Sequence, residues 1–385
     1  MRHATSVPLN FFMGLSGNGE VRRFKLLLSI LPQFERLNRI KRRSNGNLNA
    51  YFVPRTVLVD EITASDLMKS VKTFLIILCA ILPFSHVISE EPLMRIEESS
   101  ERITMKRGEK TIFHYNKKPT AEAANHAAHY SRSGYIHPLF SPSGLVITGD
   151  YAEDHPHQHG LFFAWTKTTF EGRKPEFWNQ KLESGRISYQ KTLSKENGAK
   201  RCSFVVEHLF EDLTAPGGPK PVIKETWEVT GTDQGEEAFL FDIKSTQTLI
   251  GENPLTIEKY HYGGMAIRGT TQWLPENKES AAPGIIQTGK GLDREQGNHS
   301  RPDQVTMHGP IDNGHAGVTI INDPENFRSP QWVRLHPSKP YFVFAPMVDE
   351  AFQITKSKPY VSRFRYLVFD GPPDEDLNRS HRFAP

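Results

Sequence analysis

The sequence predicts an all-β protein, a large antiparallel β-sandwich of two-sheet supersandwich size. Three observations carry that prediction. Apolar residues alternate with period two in several well-separated segments. Helical signals are few. Turn-forming clusters divide the alternating segments at short intervals over a length that suits one large domain rather than an immunoglobulin-sized unit.

The elements follow along the chain. Residues 1–67 carry ten Lys/Arg and five Asp/Glu and no long amphipathic period, and they read as an extension outside the fold. Met68-Lys69-Ser70-Val71-Lys72 is a short basic segment, followed by the apolar run FLIILCAILPF at 74–84. Val87-Ile88-Ser89 then offers a cleavage site before Glu90-Glu91. This order matches a secretory signal peptide over 68–89, read either with translation starting at Met68 or with residues 1–67 as a long basic n-region before it. Leu78 stands before Cys79 where a lipoprotein signal wants a small residue. With ten Lys/Arg against five Asp/Glu in 1–67 and two lysines in 68–89, the whole-chain charge of +3 becomes −4 over residues 90–385. A mildly acidic body without a basic cluster argues against nucleic-acid binding. It has no apolar stretch long enough to anchor it across a bilayer. Cys202 is its one cysteine, so no internal disulfide is expected and the thiol reads as structural. The expected location is the periplasm or the cell exterior.

Within 90–371, read as a single domain, Phe204, Val206, His208 and Phe210 alternate with less apolar neighbours, as do Phe239, Phe241 and Ile243, and Phe364, Tyr366 and Val368. Each pattern predicts a strand. Val318 to Ile321 and Tyr341 to Phe344 are short apolar runs suited to buried strands. Breaks fall at Ser141-Pro142-Ser143-Gly144, at Ala215-Pro216-Gly217-Gly218-Pro219 and at Asp370-Gly371-Pro372-Pro373. Pro119 to Ala128 is alanine-rich but short and lacks an apolar stripe. Residues 277–303 read as a long polar loop, and 372–385 as a mobile tail.

The segment with most chemistry is Asp154-His155-Pro156-His157-Gln158-His159-Gly160. On an extended chain His155, His157 and His159 share one face. Their imidazoles suit three roles: acid/base or sugar-contacting groups, ligands of one transition metal, or hydrogen-bonding groups at a turn. A cupin metal site is excluded by Leu161 and Phe162, which stand where its glutamate would fall. In Glu258-Lys259-Tyr260-His261-Tyr262-Gly263-Gly264, read as a strand, Glu258 and Tyr262 share a face opposite His261. The Gly-Gly step permits a bulge or a close ligand approach. Arg268 suits a carboxylate or a pair of sugar hydroxyls. Arg132 and His137, from Arg132-Ser133-Gly134-Tyr135-Ile136-His137-Pro138, are candidates to join the site, and Trp165 and Trp178 to stack on a pyranose ring. No GxSxG elbow, P-loop, GxGxxG or HExxH pattern occurs.

RSGYIHPLFSPSG, DHPHQHGLFFAWTKTTFEGRKPEFWN, HYGGMAIRG with Gln272-Trp273, and the closing SRFRYLVFDG together resemble a secreted bacterial family filed under the label methane oxygenase PmoA. Gln158 stands where another histidine is frequent in that family. The label conflicts with the chain, because a particulate methane monooxygenase subunit has many membrane-spanning helices. The resemblance implies a family of unknown function, a β-supersandwich similar to galactose mutarotase, and a carbohydrate context.

The leading expectation is an exported protein that binds a sugar or sugar acid in a cleft of the sandwich. His157, His159 and Glu258 would be its acid/base groups, in chemistry of epimerase, lyase or hydrolase type. Arg132, His137, Trp165, Trp178, His261, Tyr262 and Arg268 would bind the substrate. The alternatives are a metalloenzyme using His155, His157 and His159, and a non-catalytic glycan-binding or envelope protein.

Overall fold

The computed structural model describes residues 93–277 and 282–383. The expected signal peptide at 68–89 and the extension before it lie outside the described residues. In chain order the first strands are β1 (Met94–Glu98), β2 (Arg102–Arg107), β3 (Lys110–Asn116), β4 (Tyr135–Leu139), β5 (Asp150–Ala152), β6 (His155–His159) and β7 (Leu161–Ala164). Next come β8 (Thr168–Thr169), β9 (Gly185–Glu196), β10 (Arg201–Asp212), β11 (Lys220–Thr232), β12 (Ala238–Leu249), β13 (Leu255–Ile257) and β14 (Gly264–Arg268). The last are β15 (Ile285–Thr288), β16 (Gln304–Ile311), β17 (Gly314–Asn322), β18 (Val333–Leu335), β19 (Tyr341–Phe344), β20 (Phe352–Ile354) and β21 (Tyr360–Asp370).

Two antiparallel eight-stranded sheets dominate. Sheet one has the order β1-β2-β3-β4-β7-β14-β19-β18, and sheet two the order β15-β16-β17-β21-β12-β11-β10-β9. A three-stranded sheet (β20-β13-β8) and the pair β5-β6 complete them. The expected alternations fall in β10, β12 and β21. In β10 the even-numbered side chains from Cys202 to Asp212 are buried and the intervening ones are half-buried. Burial pushes the Cys202 thiol up to about 12, so it is an inert core residue.

The sheets pack face to face through aromatic side chains. Phe113 of β3 meets Phe204 and Phe241 of sheet two at 6.2 and 4.9 Å between ring centroids, and Phe344 of β19 meets Phe364 at 4.9 Å. Each such buried ring contributes about 1.5–3 kcal/mol relative to exposure. A polar chain threads this interior. Tyr115 Oη is 2.6 Å from His208 Nε2, and His208 Nδ1 is 2.7 Å from Glu225 Oε2. Glu225 Oε1 accepts from Ser245 and Gln247. Burial opposes ionisation of Glu225, but the His208 hydrogen bond and charge hold its carboxyl below the usual range.

Strand pairing fixes which side chains leave the core. Phe344, Met265 and Phe163 are register partners across β19, β14 and β7, and Phe344 faces sheet two. The intervening residues Phe162, Ala266, Arg268, Tyr341 and Arg334 therefore project from the other face of sheet one. The candidate site lies on that outer face.

Two segments differ from expectation, and a third takes a form the sequence left open. The alanine-rich stretch forms two 3-10 turns, Ala121–Asn125 and Ala128–Tyr130. The long loop contains β15, which pairs with β16. The tail is docked rather than free. Asp374 caps a short helix, Glu375–Ser380, Leu377 packs on Ala238, Leu240 and Leu367, and Phe383 lies under the Arg363 and Arg365 guanidinium groups. A leucine and a phenylalanine among polar residues were the available signal.

Candidate functional site

A cleft of about 260 Å³ opens on the outer face of sheet one. Its walls come from four places in the chain: His155, His157 and Gln158 of β6; Trp178 and Asn179 from the loop before β9; His261 and Tyr262 before β14; and Arg334, His336 and Tyr341 around β18 and β19.

The histidine strand is held from beneath. Gly160 ends it, and a Cβ there would sit 2.0 Å from the Ile136 carbonyl oxygen, so only glycine lets β7 approach β4 this closely. Arg268, fully buried on β14, donates to Gln158 Oε1 at 2.9 Å and to Asp154 Oδ1 at 3.0 Å. Lys339 Nζ lies 3.5 Å from the other Asp154 oxygen. Burial opposes ionisation of Asp154, yet the Arg268 charge and the hydrogen bonds to it hold its carboxyl at about 2. Arg268 thus fixes β6 at both ends of the His155–His157 segment.

The two histidines differ in their ties. His155 Nδ1 lies 3.0 Å from Asp154 Oδ2 but off the line of a hydrogen bond. His157 makes no hydrogen bond among the described residues, and its ring meets His155 edge to face at 5.5 Å. Burial, with the neighbouring His155, His159 and Arg268, lowers His157 to about 4. It is therefore a neutral imidazole at pH 7, free to give or accept a hydrogen bond in the cleft.

On the facing wall, His336 Nδ1 accepts backbone N–H groups of Ser338 at 3.2 Å and Lys339 at 3.0 Å. Burial and the Arg334 charge lower His336 to about 4, so its ring is neutral and keeps the proton on Nε2. Tyr341 is buried, and its hydroxyl finds no partner among the described residues. Burial raises it well above the usual phenol range, so it remains a donor. Tyr262, pushed up to about 12 by burial, lies 3.4 Å from Asn179 Nδ2. Trp178 packs edge-on against Tyr262 and Tyr341 behind these groups.

The structure brings His155, His157, Trp178, His261 and Tyr262 together and places the other sequence candidates elsewhere. His159 is fully buried, enclosed by Tyr135 and Tyr151, with Nδ1 2.7 Å from Asp150 Oδ1. It does not share the face of His155 and His157 because, among the described residues, β6 pairs only with β5, and that pairing shifts register between Asp150 and Ala152. The metal set His155, His157 and His159 is accordingly not assembled, and among the described residues no group of three His, Cys, Asp or Glu side chains converges as a metal site. Glu258 does not line the cleft. Strand β13 ends at Ile257, so the alternation expected over 258–262 does not exist, and the Glu258 carboxylate accepts from Thr169 Oγ1 at 2.6 Å.

Trp165 faces the interior with Phe163, two residues before it, and donates to Gln247 Oε1 at 2.6 Å. Arg132 is buried behind the site, donating to the Phe163 carbonyl at 2.7 Å with its guanidinium over the Phe162 ring, and burial lowers it to about 10. His137 is bonded to Thr148 Oγ1 at 2.9 Å. Arg268 supports β6 rather than lining the cleft. The Gly263-Gly264 step admits the protein's own backbone, since a Cβ on Gly264 would meet the Phe344 carbonyl at 2.3 Å. Asn179, Arg334, His336 and Tyr341 were missed. The alternation Val333-Arg334-Leu335-His336 was the signal, with two polar side chains on one face of a short buried strand.

Fold and site together define a large antiparallel β-sandwich with a histidine-lined cleft on the outer face of one sheet. The chain belongs to a family of unknown function (DUF6807), whose model matches residues 102–381. The motifs implied a family without an assigned function, and this match carries neither the methane-oxygenase label nor export. No curated protein matches the chain. Among solved structures, a mutant of heparan sulfate lyase HepC from Pedobacter heparinus is similar at 11% identity and a TM-score of 0.29, covering 73% of this chain and 37% of that one. A second HepC structure from the same organism gives 11% identity and a TM-score of 0.28 over the same shares. The chain thus spans little more than a third of the HepC chains it matches. Among the described residues no helix is long and apolar enough to cross a membrane.

Proposed function

We propose that the cleft binds a sugar and that His157 exchanges a proton with it, in chemistry of epimerase, lyase or hydrolase type. One observation carries the reading. His157 is a cleft-lining imidazole without a hydrogen-bond partner among the described residues, beside a wall built from Trp178, Tyr262 and Tyr341. Aromatic surface suits the apolar face of a pyranose, and the surrounding imidazole, amide and phenol groups suit its hydroxyls. A volume of about 260 Å³ is of the order of one sugar ring. Tyr262 would donate from its hydroxyl, and Asn179 would orient it. Export, with the glycan met in the periplasm or outside the cell, belongs to the same proposal and rests on the leader-like segment at 68–89.

The value of about 4 for His157 specifically favours a second reading, a glycan-binding protein without turnover, because so weak a base removes protons poorly at pH 7. A panel of neutral and acidic saccharides, screened by ligand-observed NMR and by product analysis, tests both. Proton-transfer catalysis requires a saccharide that is turned over and a His157→Ala protein that binds it without turnover. Saturable binding without any product leaves the binding reading, and a panel with no ligand at all overturns both.

A further inference from the structure

Among the described residues the carboxylates nearest the cleft are engaged, and none lines it. Asp154 is held by Arg268 and Lys339, Glu276 by Lys339, and Glu258 by Thr169. Arg334 lines the cleft with no carboxylate in ion-pair range among the described residues, its one hydrogen bond being a long 3.4 Å contact to the adjacent Leu335 carbonyl. Its charge reaches neighbouring rings, since it helps to lower His261, His299 and His336 and so favours their neutral forms. This partly buried guanidinium has no counter-charge in ion-pair range among the described residues.

Two groups beside it are donors. With Nδ1 occupied by two backbone amides, His336 has only Nε2–H to offer. Tyr341, which lines the same cleft, has a buried and still protonated hydroxyl without a partner among the described residues. The two observations are independent. One is an unpaired cation, and the other is a buried donor lacking an acceptor. Both are resolved by one ligand feature, a group with several anionic oxygens, which a guanidinium can engage through two parallel N–H bonds.

We infer that the cleft recognises an oxyanion carried on a sugar, either the carboxylate of a uronic acid or a sulfate ester, and that Arg334 is the residue that selects it. This rests on the sugar-binding reading above and names its substrate class. The anion would lie against Arg334, His336 Nε2–H and the Tyr341 hydroxyl, with the ring toward Tyr262 and His157.

The test is titration calorimetry of the full chain with methyl glucuronide, methyl glucoside and the 6-sulfate of methyl glucoside, on the unaltered protein, Arg334→Gln and Arg334→Lys. Thermal melts confirm that each variant is folded. The unaltered protein should bind at least one anionic glycoside about ten- to a hundredfold more tightly than the neutral one, the range expected for charge-assisted hydrogen bonds. Which anion gains identifies carboxylate or sulfate as the source. Arg334→Gln should erase the difference, and Arg334→Lys should restore part of it. Equal affinity for neutral and anionic glycosides would overturn this inference and leave the sugar-binding reading standing. An anionic preference unchanged in a folded Arg334→Gln protein would overturn the assignment to Arg334. Absence of binding by all three would count against both readings.

Discussion

Replacing Arg268 with methionine removes the support beneath the histidine strand while keeping a long unbranched side chain. Gln158 is buried, and losing its 2.9 Å bond leaves the amide oxygen without a donor, a cost of about 1–3 kcal/mol. Asp154 loses a charge-assisted bond of 3.0 Å, but a quarter of its side chain reaches solvent and Lys339 stands by, so this loss falls near the lower end of about 1.5–3 kcal/mol. Methionine needs no desolvation of a charge and fills most of the space, which offsets roughly 1 kcal/mol of the penalty. The net expectation is a destabilisation of about 2–4 kcal/mol, or roughly 4–8 °C in Tm for a domain of this size. Urea unfolding at pH 7, followed by tryptophan fluorescence, measures it. The pH dependence adds a sign. The Asp154 carboxyl is held at about 2, below its unfolded value, so its stabilisation is full above about pH 4 and fades as pH falls toward 2. The gap between the unaltered protein and the variant should narrow over that window. A variant within about 0.5 kcal/mol of the unaltered protein at pH 7, the size of a neutral surface change, would refute the claim that Arg268 anchors β6.

Three further outcomes are expected. Gly160→Ala should unfold the protein or cost more than about 3 kcal/mol, because the new Cβ meets backbone rather than a movable side chain; a Tm within 2 °C of the original, as for a neutral change, would contradict the packing at Ile136. Glu225→Ala strips acceptors from His208, Ser245 and Gln247 between the sheets and should cost about 3–5 kcal/mol by chemical denaturation, where a loss under roughly 1 kcal/mol would place this network outside the core. In an NMR titration of the imidazole resonances, His157 and His336 should stay neutral from pH 8 to pH 5 and titrate near 4; midpoints near the ordinary 6.5 would mean that both rings are better hydrated than their surroundings imply.

The large sheets were legible because burial on one face imposes a two-residue period, and Phe204 to Phe210 or Phe364 to Val368 write it plainly. The same period failed where the chain was not extended. His261 and Tyr262 were assigned to opposite faces of a strand, yet both line the cleft because β13 has already ended at Ile257. Trp165 and Trp178 were equivalent as sequence. What separates them is parity: Trp165 continues the inward positions Leu161 and Phe163, whereas Trp178 packs on Phe162 of the outer face. Three histidines at alternate positions promised a single cluster, but a register shift in β5-β6 and the pull of Asp150 took His159 into the interior. Arg334, His336 and Tyr341 form one of the cleft's four walls and lie far along the chain from His155. Only the order of strands in sheet one, which a single sequence does not encode locally, sets β18 and β19 beside β14 and β6.

On the proposed reading the His157 cleft is where a sugar binds. Imidazole chemical shifts of the full chain, recorded with and without a saturating glycoside from the panel, test it most directly. His157 and His336 should shift with one shared dissociation constant while His208, buried between the sheets, stays in place. A glycoside that binds saturably and leaves both cleft resonances unmoved would put the site elsewhere on the sandwich and contradict it.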